Sequence, residues 1–345
     1  MTTLFVTGGA GFIGSNFIRY WLSTYPDDRI VNYDLLTYAG NLASLQDVEE
    51  NYGDRYTFVR GDIQNADLIR HLFEVHRPDY VVNFAAESHN SLAIVNPSAF
   101  FQTNVVGTQK LLQAAVDAQV PRFHHISTCE VYGDLALDSD ESFSEESPYR
   151  PRTPYNAAKA AADLAVRAYG HTFGLPVTLS NCSNNFGPYQ FPEKVIPFFV
   201  VRLLTGQKMP LYKSSQNRRE WLHVDDHCRA IDLVLKKGEI GETYNVGSGI
   251  EKDVETIADL ILDALGMDAA HKTYVDDRPG HDRRYLLDSS KIRTQLGWEP
   301  QVDFAESFRD TVHWYRDNEA WWRPLLKKIQ VREEGWRKTT RQHEY

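Results

Sequence analysis

Tyr155 and Lys159 stand four residues apart, directly after Pro154. Proline suits the first turn of a helix, so the phenol and the ammonium fall at i and i+4 on one face. A lysine ammonium beside a phenol favours the phenolate. A tyrosine tuned in this way can take a proton from a hydroxyl while hydride leaves the same carbon. Upstream runs His125-Ile126-Ser127-Thr128-Cys129-Glu130-Val131-Tyr132-Gly133. Ser127 and Thr128 offer hydroxyls, and Cys129 and Glu130 set a thiol beside a carboxylate. The pattern Tyr-x-x-x-Lys occurs often by chance on helices, so its meaning rests on what surrounds it.

Residues 3–7 read as a short buried strand, and an amphipathic stretch runs from Ser15 to about Thr24. Between them lies Gly8-Gly9-Ala10-Gly11-Phe12-Ile13-Gly14. A glycine loop from strand to helix lets backbone approach a dinucleotide pyrophosphate and aims helix N–H groups at it. Gly8, Gly11, Phe12, Ile13 and Gly14 are therefore cofactor candidates. A second strand, 30–34, ends in Asp34, twenty residues past Gly14. A carboxylate there accepts from an adenosine ribose and repels a 2′-phosphate, which favours NAD over NADP. Further strands at 57–60, 80–84 and 122–127 alternate with helices at 65–76, 99–119 and 154–173. This alternation predicts an α/β fold with a doubly wound parallel sheet. Ligands bind at the carboxyl ends of such strands, which places Asp62 and Ile63 by an adenine, and Ala85 and Ala86 by a pyrophosphate or ribose. The segment 181–187 begins a departure from this domain. The expected division is 1–180 with 225–247 returning to it, a smaller C-terminal substrate lobe from 181–224 and 248–330, and a tail from 331 to 345.

The 345 residues carry a net charge of −10, which argues against nucleic acid or an anionic membrane as main partner. Three widely spaced cysteines form neither a disulfide framework nor a zinc pattern and suit a reducing cytoplasm. There is no leader pattern at the N-terminus and no apolar run of membrane-spanning length. His89, His223 and His281 lack metal-ligand spacing, so no metal is expected and structural or substrate-contact roles remain. Asp225 and Asp226 are expected to cap the helix after them. The tail gathers Trp314, Trp321, Trp322 and Trp336 among basic residues; tryptophans packing on the substrate lobe account for this better than an RNA surface.

The glycine loop, Asn83-Phe84-Ala85-Ala86-Glu87, Ser127 and Tyr155…Lys159 together resemble an extended short-chain dehydrogenase/reductase. Longer strings narrow this: Leu36-Thr37-Tyr38-Ala39-Gly40-Asn41-Leu42, Ala86-Glu87-Ser88-His89, residues 182–194 and residues 277–285 resemble the dTDP-glucose 4,6-dehydratases over roughly residues 1 to 320. In that family NAD oxidises C4, water leaves across C5 and C6, and the hydride returns to C6. The resemblance implies Tyr155 as the C4 base, Lys159 as its electrostatic partner, and Ser127 or Thr128 on the 4-oxygen. It implies Glu130 as the base at C5, which turns acidic beside a ketone. Arg219, Arg284 and Lys194 would clamp the diphosphate, Tyr212 would pack on the pyrimidine, Asn185 would bond the sugar or first phosphate, and His89 would stand near the sugar. The partner is then a dTDP- or UDP-hexose. In the family two long helices, here 99–119 and 154–173, pair into a homodimer; Phe100, Val105, Leu111, Leu112, Leu164 and Val166 are the apolar residues expected on them.

Four departures separate this chain from the pattern. The family's Asp-Glu is Cys129-Glu130, and a thiol of ordinary pKa, about 8.5, is mostly protonated at neutral pH. Glu130 serves both steps, or the hydride is diverted to C4 as in 5,6-dehydratases, or Cys129 only fills space. His89-Asn90-Ser91-Leu92-Ala93-Ile94 replaces the customary His-Val-Asp-Arg-Ser-Ile. Ile250 replaces an asparagine and Leu35 a lysine. A 4-epimerase, a decarboxylase and a silent binding protein stay open as alternatives.

Overall fold

The computed structural model describes residues 1–213, 215–277 and 282–329. His281, Trp336 and the tail from 331 onward lie outside the described residues. Twelve strands run in chain order: β1 (Thr3–Thr7), β2 (Arg29–Asp34), β3 (Tyr56–Arg60), β4 (Tyr80–Asn83), β5 (Arg122–Thr128), β6 (Val177–Cys182), β7 (Asn184–Phe186), β8 (Met209–Tyr212), β9 (Arg218–His223), β10 (Thr243–Val246), β11 (Glu251–Asp253) and β12 (Lys272–Val275).

Seven strands form a parallel sheet in the order β10-β6-β5-β4-β1-β2-β3. Helices cover both faces, so strand residues of either parity meet apolar partners and the strands read as nearly unbroken apolar runs. Phe5, Val31, Val81, Phe123 and Leu179 pack on one face against Leu72, Leu111, Leu112 and Val166. Leu4, Val6, Ile30, Val82 and Ile126 pack on the other against Phe17, Trp21, Cys228 and Ile231. The direction of strand succession reverses between β1 and β4. In a doubly wound sheet that reversal opens the ligand crevice.

The chain leaves this sheet at β7, which joins β9 and β11; β8 pairs with β12. Around them a further core gathers Phe199, Trp221, Ile261, Phe308, Val312 and Trp322. The described tryptophans of the C-terminal region pack on this lobe: Trp314 and Trp321 stand edge-on to Tyr189, and buried Trp322 donates from Nε1 to Tyr315 O at 2.6 Å.

Two local expectations are corrected. The helix Val224–Lys237 is capped by the His223 side chain, which accepts from Asp225 N, and not by Asp225 or Asp226. Asp226 is buried in the first turn, where it accepts from Gln301 N and Val302 N and pairs with Arg229. The helical stretch expected at 99–119 runs from Pro97 to Asp117 and contains a π-turn at Gln102–Gly107. The wider turn rotates one segment's face relative to the next. Phe100, Leu111, Leu112 and Val166 belong to the core, while Phe101, Val106 and Leu164 are exposed.

Glycine is required at the end of β1. Gly8 has φ +69° and donates to Tyr33 O at 3.0 Å, and a Cβ there would lie 2.6 Å from Ala85 N. The left-handed backbone alone costs an alanine roughly 1–2 kcal/mol, before the collision with the end of β4. Gly8→Ala is expected to lower the thermal midpoint by several degrees. An unchanged melting curve would contradict this account of the turn.

Candidate active site

The crevice at the β1/β4 reversal is a cavity of about 380 Å³. Its first half is backbone. Gly8, Gly11 and Gly14 line it with Phe12 and Ile13, and a Cβ at Gly14 would meet Gly8 O at 2.5 Å. Gly11 caps the helix Phe12–Thr24 without a side chain, and no acid occupies the first turn. The first N–H groups and the positive end of the helix dipole thus face the crevice, which suits a pyrophosphate. Asp34 ends β2 with Oδ2 accepting from Ala10 N at 2.9 Å and Oδ1 from Leu36 N at 2.7 Å. Burial raises its pKa against those two hydrogen bonds, and its remaining lone pairs border the cavity. Asp62, Ile63, Ala85 and Ala86 border it as well. The donor set and the glycine cradle fit a dinucleotide.

The second half holds titratable groups. Thr153 caps the helix Pro154–Phe173 by accepting from Asn156 N, and Pro154 occupies the first turn. Tyr155 and Lys159 both reach the cavity wall, 8% and 4% exposed. Burial pushes the Tyr155 phenol well above its ordinary range, the Glu130 charge pushes it further, and a hydrogen bond with Thr128 opposes them. The direct phenol–ammonium effect expected from the spacing is not what dominates here. Lys159 Nζ donates instead to Ile126 O at 2.7 Å, with His125 Nε2 at 3.2 Å.

His125 is held from both sides. Thr7 donates to Asn83 Oδ1 at 2.6 Å, which turns the Asn83 NH₂ toward His125 Nδ1 at 3.1 Å. His125 Nε2 lies 3.2 Å from Lys159 Nζ and 3.4 Å from Asp163 Oδ1. Burial and the Lys159 charge lower the His125 pKa to about 4, so the ring is neutral. Asp163, wholly buried, also accepts from Ser127 Oγ at 2.7 Å and Tyr149 at 3.0 Å. Ser127 is thereby turned away from the phenol, and Thr128 is the hydroxyl that meets Tyr155.

Glu130 and Cys129 part company. They begin a short 3₁₀ turn, Cys129–Tyr132, at the end of β5. Glu130 borders the cavity and accepts from Asn90 Nδ2 at 3.0 Å. Cys129 is 1% exposed, packs with Val131, Tyr285 and Leu287, and does not border the cavity. Burial first, then the charge of Glu130, holds its thiol well above the ordinary value. The cysteine on the cavity wall is Cys182, whose Sγ donates to Ser127 O at 3.4 Å and whose pKa burial lifts to about 12.

The expected substrate contacts divide in the same way. Asn185 and Lys194 border the cavity; Asn185 Oδ1 bonds His227 Nδ1 at 2.9 Å, and Lys194 donates to Ser88 O at 2.7 Å. His89 caps the helix Asn90–Val95 by accepting from Leu92 N and lies 3.8 Å from Glu193. Arg284 is held by Glu251 at 2.7 and 2.8 Å and by Ser139 O at 2.6 Å. Arg219 donates to Asp282 O and Arg218 O, both at 2.7 Å, and lies over the Tyr285 ring. Neither arginine, nor Tyr212, borders the described cavity, and residues 214 and 278–281 lie outside the described residues. Reading the sequence also passed over Glu193 on the cavity wall, where burial raises its pKa to about 7. No group of three metal-ligating side chains gathers among the described residues.

The Asp163 charge raises the Lys159 pKa against the burial that lowers it. Asp163→Asn removes that support, so the ammonium is lost at lower pH. The alkaline limb of the pH–rate profile should move to lower pH. An unmoved alkaline limb would show that Asp163 does not set the lysine's charge.

Known proteins resemble this chain in sequence and in fold. The family described as GDP-mannose 4,6 dehydratase matches residues 5–311. A dTDP-glucose 4,6-dehydratase of Xanthomonas campestris pv. campestris (strain B100) is 47% identical over 94% of this chain and 96% of its own. One from Mycobacterium tuberculosis (strain CDC 1551 / Oshkosh) is 48% identical over 95% and 98%. The crystal structure of DesIV, a dTDP-glucose 4,6-dehydratase from Streptomyces venezuelae with NAD and TYD bound, superposes with a TM-score of 0.90 at 50% identity, covering 94% of this chain and 99% of that one. A UDP-glucose 4-epimerase from Thermotoga maritima with UDP-glucose superposes at 0.84 with 28% identity, covering 92% and 99%. By sequence and by fold, this chain belongs to the GDP-mannose 4,6-dehydratase family.

Proposed function

We propose that this protein is an NAD-dependent sugar-nucleotide dehydratase that oxidises C4 of a dTDP- or UDP-hexose and removes water across C5 and C6. The observation that carries this is one cavity bordered by a glycine cradle, by Tyr155 with Lys159, and by Glu130. An enzyme that only moves hydride needs the first two; elimination needs a second base. Residues 1–180 with 225–247 would hold the dinucleotide, and 181–224 with 248–330 the sugar nucleotide.

A dinucleotide held by the glycine cradle and Asp34 would supply the hydride acceptor, and its positive ring would oppose the upward push on the Tyr155 phenol. Tyr155 takes the proton of the 4-hydroxyl, with the Thr128 hydroxyl beside it. Lys159 holds positive charge nearby, kept in place by Ile126 O. Glu130 removes the C5 proton once C4 is a ketone. A carboxylate positioned for such transfer contributes ~10²–10⁴-fold. Asn185, Lys194 and His89 would face the sugar or diphosphate, with Arg219, Arg284 and Tyr212 around the nucleotide end. The proposed clamp by Arg284 requires it to release or share Glu251.

Cys129 supports a second reading. A thiol held protonated in an apolar cluster is a poor substitute for a carboxylic acid at the departing 6-hydroxyl. On this reading the hydride would return to C4 and leave a 5,6-unsaturated sugar, as in a 5,6-dehydratase. Incubation with dTDP-glucose, UDP-glucose and UDP-N-acetylglucosamine separates the readings by mass and proton NMR. Loss of water with a new methyl doublet is the expected result; vinyl protons would select the second reading, and unchanged mass would favour an epimerase. Glu130→Gln should abolish water loss and spare dinucleotide binding. Water loss retained in that variant would remove Glu130 as the C5 base.

We also propose a cytoplasmic homodimer. Free thiols at all three cysteines suit a reducing compartment. Phe101, Val106, Leu164 and Phe173 leave apolar surface on the helical stretch 97–117 and on the helix Pro154–Phe173. Light scattering should give twice the chain mass, and Leu164→Glu should lower it to one chain. No role for nucleic acid or membrane is proposed, and no described helix is long and apolar enough to cross a membrane.

A further inference from the structure

We infer that Asn90 is a positioning residue for the elimination step: it aims the Glu130 carboxylate and ties it to the start of the helix that carries Tyr155 and Lys159. This rests on the dehydratase reading above.

The geometry is a three-link chain. Thr153 Oγ1 accepts from Asn156 N at 3.2 Å as the helix cap. Its own hydrogen is therefore free to donate, and it does so to Asn90 Oδ1 at 2.8 Å. The contact at the other end settles the amide's orientation, because a carboxylate only accepts and so draws the NH₂, which leaves the oxygen for the Thr153 hydroxyl. The Asn90 NH₂ faces Glu130 Oε2, at 3.0 Å. A carboxylate only accepts, so both ends of the amide meet a complementary partner. The second Glu130 oxygen is not held by Asn90, and Glu130 borders the cavity.

The consequence for the reaction is directional. A carboxylate at a chain turn has free rotation about its side-chain bonds, and an eliminating base must sit near one C–H bond. The amide removes that freedom on one oxygen and leaves the other for the proton. It also registers the second base against the first, since Tyr155 begins two residues after Thr153. Valine would fill a similar volume at 90 and supply neither bond. Aspartate would keep the acceptor for Thr153 and lose the donor to Glu130.

The experiment uses the full-length protein with bound dinucleotide and dTDP-glucose in deuterium oxide. It follows transient reduced dinucleotide by absorbance and deuterium entry at C5 by mass and NMR, in wild type, Asn90→Val and Asn90→Asp. Both variants should form reduced dinucleotide within about twofold of the wild-type rate, with C5 exchange and water loss slowed ~10- to 100-fold. Asn90→Asp keeps the bond to the cap but sets a second carboxylate beside Glu130, so slowed exchange counts for the inference only when Asn90→Val, which adds no charge, slows it as well. Should Asn90→Val fail to fold, Asn90→Ala takes its place. Exchange at the wild-type rate, or oxidation slowed as much as exchange, overturns the inference while leaving the dehydratase reading intact. A wild type that reduces its dinucleotide without any C5 exchange overturns both.

Discussion

A lysine ammonium that is 4% exposed is the constraint around which this site is arranged. Burying such a charge costs several kcal/mol unless partners replace the lost water. Lys159 finds a carbonyl at the carboxyl end of β5 and a carboxylate one helical turn along its own helix, so strand and helix must keep a fixed separation. Asp163 in turn is held by Ser127 from β5 and by Tyr149 from the connecting loop. Neutral His125, locked by Asn83 on β4, fills the space between the two charges. The charged pair, the two strands and the helix form one unit, and Tyr155 is delivered to the cavity as part of it.

The same economy of space separates Glu130 from Cys129. Consecutive residues in a tight 3₁₀ turn point to different sides, so one side chain faces the crevice and its neighbour enters an apolar cluster with Tyr285 and Leu287. Buried beside a carboxylate, an acidic side chain at 129 would share the cost of two like charges. A protonated thiol does not. Glu130 thus has no competing carboxylate next to it in sequence, and its polar support comes from Asn90 on another helix.

Local signals made much of this readable. The glycine loop, Asp34 and the Tyr-x-x-x-Lys pair each lie within one strand–turn–helix unit, where spacing dictates geometry; the parallel sheet follows from the alternation of such units. What escaped was set by pairing across the chain. Arg284 looked like a free phosphate ligand, yet its fork is matched by Glu251 on β11. Ser127 looked free to reach substrate, yet Asp163 takes its hydroxyl. The π-turn at 102–107 places buried Asn104 across the Glu87 backbone, and no periodic count of apolar residues reports an extra residue per turn. Asn90 stood out as a departure in type, but its partners lie 40 and 63 residues away. Cys182 sits at the end of a buried strand, where a thiol reads as core.

The cavity must also lose a hydroxide equivalent, and the charges on its wall limit how. Carboxylates border it at Glu130, Glu87 and Glu193 on the reacting side, and burial raises the latter two. Glu193 at about 7 is partly protonated at neutral pH, with Lys194 opposing the shift. Cys129 is protonated throughout but lies behind the wall. A proton reaching the departing oxygen from Glu130 itself would be the one just taken from C5, so base and acid would be one group acting in sequence. That route needs a carboxylate whose oxygens are distinguishable, one anchored and one free to swing between two carbons. The single hydrogen bond from Asn90 to Oε2 creates that asymmetry.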